Sequence, residues 1–185
     1  RRQGQGLDVT QAALAARIVS ETLDDMVFNG VENLSVDGRS VYGLMTHPDR
    51  NTGSLSADWT DSAADPLGDV QRMIALSRAA NYRGPYNLYV PDGYYTLLTD
   101  DYKAESDKTW LERIQALPAI SRVQATSSLA EGNVVLVQMT RDVIELGEAQ
   151  DITTVDWEEQ GGFEAHFKVF AGIVPIIKST YAKQS

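Results

Sequence analysis

The chain has 185 residues, 43% of them apolar, 23% charged and 8% aromatic, which suffices for one sizeable core or two small lobes and excludes a disordered chain. The 26 acidic and 16 basic residues give a formal net charge of −10, which disfavours general nucleic-acid binding, since phosphate contacts need clustered Lys and Arg. Cysteine is absent, which excludes disulfides and thiolate metal sites, and the longest apolar run, Phe170 to Ile177, is far shorter than the roughly 20 residues of a membrane span.

The chain opens on Arg1-Arg2-Gln3-Gly4-Gln5-Gly6, without an initiator Met or a signal-peptide pattern, and reads as the remainder of a longer polypeptide. A first helix follows, with Asp8 as cap, Gln11 completing a capping box and Leu7 as staple. Ala12, Ala15, Val19, Leu23 and Met26 recur at helical spacing, and Gly30 is placed to take the left-handed position that ends the helix. Its length suits a structural spine. Residues 31–64 read as irregular, dense in turn formers from Asn33 to Ser54, with Val41 to Met45 as a short piece able to pair with a sheet edge.

A second helix starts at Asp65-Pro66, a cap followed by Pro in the first turn, with Leu67, Val70, Ile74 and Ser77 on one face. Tyr86 to Val90 reads as a strand, Asp92 to Leu98 as a short helix, and Thr99 to Lys108 as a polar, mostly acidic loop. Thr109-Trp110-Leu111-Glu112 opens another short helix with a capping box, ended by Pro118. Strands are expected at 122–125, 134–139, 143–146, 152–158 and 163–174, with Gly161-Gly162 as a hairpin signal. In the last strand Phe163, Ala165, Phe167, Val169 and Ala171 face one way and Glu164, His166 and Lys168 the other. Helices precede strands with a single alternation, so the class is α+β.

Chemistry is sparse. His47 lies in a loop beside Pro48 and Asp49 and reads as a surface residue. Glu164 and His166 share a strand face and could bind a metal, but one strand offers two ligands where catalytic zinc takes three. No metal and no cofactor is therefore expected. The hydrolase elbow, the phosphate loop and the dinucleotide fingerprint are all missing. Adjacent carboxylates such as Asp24-Asp25, Asp100-Asp101 and Glu158-Glu159 read as solvated charge. Tyr82, Tyr86, Tyr89, Tyr94 and Tyr95 cluster in one region, either as core around the Tyr86 strand or as an interface. The residues alone thus give a folded α+β domain without a recognisable active site.

The order of segments carries more. Leu23-Asp24-Asp25-Met26-Val27-Phe28-Asn29-Gly30 resembles the end of the spine helix of encapsulins, and Tyr42-Gly43-Leu44 the turn that follows it. Arg83-Gly84-Pro85-Tyr86 resembles the opening of a strand at the matching place, Leu129 to Val137 a later strand, and Val143 to Asp151 the family's Leu-Gly-Gln-Asp turn. From about Leu14 to Ile177 the chain is similar to tailed-phage major capsid proteins and encapsulins.

The resemblance implies the Johnson fold: a peripheral lobe with a spine helix and long sheet, plus an axial lobe. Residues 1–64 would supply the spine helix and following loop of the peripheral lobe, 65–150 mostly the axial lobe, and 151–185 the closing strands of the peripheral lobe, as one interleaved unit. The N-terminal arm and E-loop of the family are missing. The implied function is structural and not enzymatic: a major capsid protein of a tailed phage or prophage, self-assembling as a homo-oligomer of pentamers and hexamers into an icosahedral shell. That shell would enclose DNA or cargo without sequence-specific binding and without a membrane, as a virion capsid assembled in the bacterial cytoplasm. Asp100, Asp101, Tyr102, Lys103, Glu105, Asp107 and Lys108 would form the loop at the capsomer centre, where acidic rings favour cations. The irregular loop and the Asp/Thr-rich segments favour a capsid over an encapsulin nanocompartment shell. A metal-dependent hydrolase using Glu164 and His166, and a monomeric binding module using the tyrosines, are the readings from other classes.

Overall fold

The computed structural model describes residues 9–36, 38–103, 106–161 and 164–178. The cap and staple residues Asp8 and Leu7, Glu105 of the polar loop, Gly162 of the hairpin signal and Phe163 lie outside them. The chain divides into two units, one from the described residues of Arg1–Gly43 and Leu146–Ile176, the other from those of Leu44–Glu145 and Ile177–Ser185.

The first unit begins with helix α1, Val9–Asn29, about 31 Å long at 1.5 Å per residue. The expected stripe of Ala12, Ala15, Val19, Leu23 and Met26 is its half-buried face, while Leu14 and Ile18 beside it are exposed. Gly30 stops the helix as expected: its φ of 74° is left-handed, and its N–H donates to the Met26 carbonyl at 2.9 Å. Strands β1, Val31–Val36, and β2, Arg39–Val41, pair antiparallel in the stretch that composition marks as irregular. Turn formers punctuate a short hairpin there rather than forbid one. Phe28 is buried, and Gly43 sits so close to the backbone of Phe28 and Gly30 that no side chain fits.

The second unit holds helices α2, Pro66–Ala79; α3, Asp92–Leu98; and α4, Trp110–Gln115. Their starts follow the sequence signals. The Asp65 carboxylate accepts from the Gly68 N–H at 3.0 Å, and Thr109 and Glu112 close the capping box reciprocally at 3.2 and 3.4 Å. Strand β3, Tyr86–Pro91, is the centre of a three-stranded sheet, parallel to β4, Ile120–Thr126, and antiparallel to β5, Val135–Gln138. Leu88 and Val90, which point to the same face of this central strand, have no exposed surface. They join Trp59, Val70, Tyr94, Leu98 and Ile114 in one core.

Residues 44–64, which follow β2 in sequence, belong to this second unit, because Trp59 enters its core. The Trp59 ring stacks on Tyr94 at 5.1 Å and 25°. Its indole N–H donates to Asp69 at 2.9 Å, and the Ser56 N–H and hydroxyl donate to the same carboxylate at 2.9 and 3.0 Å. Arg72 pairs with it as well. Asp69, only 2% exposed, thus ties the 56–59 stretch to α2.

Strands β6, Ile144–Glu159, and β7, Glu164–Ile177, form a separate two-stranded hairpin. Most of it belongs to the first unit, with residues 144, 145 and 177 at its open end counted in the second. The expected turn at Val143 to Asp151 is not there: β6 runs straight through it. Gly147 packs against Ile176, and Gln150 against Gly172, so cross-strand pairing keeps this stretch extended.

Candidate functional site

Four places in the molecule could carry function. The first is the polar loop between α3 and α4, in the second unit. Its base is closed by an antiparallel bridge between Asp101 and Thr109 and by Tyr102 N–H donating to the Lys108 carbonyl at 3.0 Å. Above this base the Tyr102 ring meets Trp110 edge-on at 4.6 Å, and the Arg113 guanidinium lies over its face at 3.8 Å. Lys103 approaches the same ring at 5.0 Å. Asp100, Asp101, Lys103, Asp107 and Lys108 are exposed around this aromatic anchor. The described residues of this stretch thus form one loop between α3 and α4, and the anchoring roles of Trp110 and Arg113 were not foreseen. An aromatic at the loop's start and an Arg one helical turn into α4 are the signals that could have found them.

The second place is the tyrosine region. Tyr86 and Tyr94 are 1% and 0% exposed and belong to the core, while Tyr82, Tyr89 and Tyr95 are half-buried. Burial pushes the Tyr86 and Tyr94 phenols above their ordinary range. The core alternative holds for these two. Nearby, a cavity of about 730 Å³ is lined by loop residues such as Leu44, His47 and Leu55 and by β5. His47 organises a turn there: its ring Nδ1 accepts from the Asp49 N–H at 3.2 Å, and its carbonyl accepts from the Arg50 side chain at 3.0 Å.

The third place is the apolar surface of the first unit. In β7 Phe167 and Val169 are half-buried and Glu164 and Lys168 exposed, as expected, whereas His166, expected on the same polar face as Glu164 and Lys168, is half-buried. Beyond Lys168 exposure still alternates but the outward positions turn apolar: Phe170, Val174 and Ile176 are 38%, 40% and 42% exposed, and Pro175 between the last two is buried. A strand apolar on both faces is the pattern of a strand covered on both sides. Leu146, Val155 and Trp157 on β6 and Leu14 and Ile18 on α1 are further exposed apolar side chains of the first unit.

The fourth place is the closed end of the hairpin. Glu164 and His166 do meet, with His166 Nε2 3.6 Å from Glu164 Oε2. The structure adds a third residue from the opposite strand: Glu159 Oε2 lies 3.9 Å from the same nitrogen. Pairing across the hairpin, invisible to a search along one strand, brings it there. Both carboxylates are half exposed, 58% and 50%, which does not provide the desolvation that sets acid and base apart in a hydrolase cleft. No helix among the described residues is long and apolar enough to cross a membrane.

Two comparisons bear on these places. The profile of a family of unknown function (DUF6260) matches residues 2–158. The structure is similar to the crystal structure of a virus-like particle from Pyrococcus furiosus, with a TM-score of 0.68 and 20% sequence identity over 92% of this chain and 64% of that one. The chain thus spans less than two thirds of the length of that protein. At this identity the likeness is one of fold, and it agrees with the α+β class.

Proposed function

We propose, from the premise that the chain belongs to the family of unknown function DUF6260, that it is the subunit of a self-assembling protein shell. The observation that carries this reading is the likeness of the fold to that of a virus-like particle. The open apolar surface of β6, β7 and α1 supports it, because an isolated two-stranded hairpin is marginal in water and gains stability when a neighbour covers it.

The finer reading is a major capsid protein of a tailed phage or prophage, with the Johnson arrangement of peripheral and axial lobes. It would tile into pentamers and hexamers of an icosahedral capsid in the bacterial cytoplasm and enclose DNA without reading its sequence. The net charge of −10 fits a wall that does not grip its contents. The 100–108 loop would sit at the capsomer centre, its exposed aspartates facing the symmetry axis. An encapsulin shell is the second reading, supported by the same likeness of fold.

Light scattering and electron microscopy of the complete gene product test the proposal. Closed particles of uniform diameter are expected, and a chain that stays monomeric at high concentration overturns it. Capture of an enzyme's terminal tail inside the particles would favour the encapsulin reading, and packaged DNA the phage reading.

A further inference from the structure

We infer that Glu159, Glu164 and His166 form a divalent-cation site that clamps the closed end of the β6–β7 hairpin. The three donor atoms lie within 4.8 Å of one another, two carboxylate oxygens and one imidazole nitrogen. Donors in a tetrahedral site with bonds of ~2.1 Å stand about 3.4 Å apart. The separations of 3.6 and 3.9 Å from His166 Nε2 need only small side-chain adjustments to reach that geometry.

Independent features point at the same spot. His166 Nε2 is shut off from solvent yet has no hydrogen-bond partner, an arrangement that costs stability unless something ligates it. The outer oxygens of both carboxylates are already engaged. The Trp157 indole N–H donates to Glu159 Oε1 at 3.0 Å, and the Gln160 amide donates to Glu164 Oε1 at 3.0 Å. Both Oε2 atoms are thereby left turned toward the imidazole. Trp157 also stacks on the His166 ring at 5.6 Å and 22°, which fixes its plane. This is how outer partners orient metal ligands. Two carboxylates brought together across a strand pair repel each other, and a cation converts that repulsion into attraction.

One imidazole with two carboxylates suits a borderline ion of the Zn²⁺ class better than Mg²⁺ or Ca²⁺, which take oxygen ligands almost throughout. Three protein ligands leave a further position for water. Because the ligands come from both strands, the bound ion would lock the register of the hairpin. The site is complete within one chain and does not depend on shell assembly.

Calorimetric titration of the chelator-treated 185-residue chain with Zn²⁺, repeated with Co²⁺ to follow its visible absorption, tests the site. One ion per chain is expected. His166→Ala and Glu159→Gln should abolish binding, while His47→Ala should leave it intact. Trp157→Phe keeps a ring on the imidazole but removes the donor to Glu159, and should weaken binding about tenfold. Circular dichroism checks folding; if His166→Ala does not fold, Glu159→Gln, which still accepts from Trp157, decides the matter. No saturable binding by the unmodified chain, or binding unchanged in a folded Glu159→Gln or His166→Ala variant, overturns the site.

Discussion

In the second unit Leu88, Val90, Tyr94 and Leu98 are fully closed off from solvent, whereas in the first Leu14, Ile18 and Leu146 remain 58%, 54% and 55% exposed. Phe28 and Val41 are the buried hydrophobic residues of the first unit among side chains the structure describes. The second unit has a core of the kind that sustains a fold alone: a central strand covered on both faces, helices capped at their starts, and a buried carboxylate with its partners in place. The first is built from long elements whose apolar faces stay open. The difference teaches that one sequence can bury most of its large apolar side chains in one unit and leave many of them exposed in the other.

Substitutions can break this contrast. The largest effect is expected from Leu88→Ala, which empties a fully buried site and should cost about 3 kcal/mol in chemical unfolding followed by tryptophan fluorescence. The matching change in the first unit, Leu146→Ser, should move the same curve by less than about 0.5 kcal/mol yet suppress particle formation in light scattering. Equal effects would erase the distinction between the units.

Next in size is Asp69→Asn, expected to cost about 2 kcal/mol because an amide nitrogen cannot accept from Trp59 and Ser56 as the carboxylate does. Blue-to-red displacement of the Trp59 emission would report the loosened 56–59 stretch. Gly43→Ala should cost about 2 kcal/mol, because the added methyl meets the rigid backbone of Phe28 and Gly30 and forces it to shift. Hydrogen exchange should then rise at the end of α1 and stay unchanged in β3, which sharpens the separation between the units.

The smallest effect concerns pH. The Lys178 ammonium, hydrogen-bonded and charge-paired to Glu145, holds that carboxyl below its ordinary value of 4.5. A carboxylate whose folded pKa is depressed contributes stability that is complete above its unfolded value and lost as pH falls through the folded one. The melting difference between the parent chain and Glu145→Gln should therefore be measurable at neutral pH and shrink as pH falls below the ordinary carboxyl value and through the depressed folded one. The pair is exposed, so the shift is small.

Features governed by neighbours in sequence were legible from the residues. Thr109 with Glu112, Asp65 before Pro66 and the Gly30 stop all act within one helical turn, and the structure has each of them. The stripe on α1 and the alternation along β7 up to Lys168 were readable for the same reason. What escaped depends on residues far apart in the chain. Asp69 looks like an ordinary helix-surface acid until Trp59 and Ser56 fold onto it. The continuous β6 could not be read because its extended form is imposed by β7 and not by the composition of 147–151. Glu159 seemed one of a solvated pair with Glu158, and only hairpin closure sets it against His166. In the 100–108 loop the charges were visible, but the contacts of Tyr102 with Trp110 and Arg113 were not.

That loop has a practical consequence. Its two ends are cross-linked by backbone hydrogen bonds and held by the Tyr102–Trp110 ring contact. Lengthening such a segment is cheap, about 0.6 kcal/mol for each doubling. A peptide spliced between Lys103 and Lys108 should therefore leave α3 and α4 in place, which circular dichroism and chemical unfolding of the insertion variant would check.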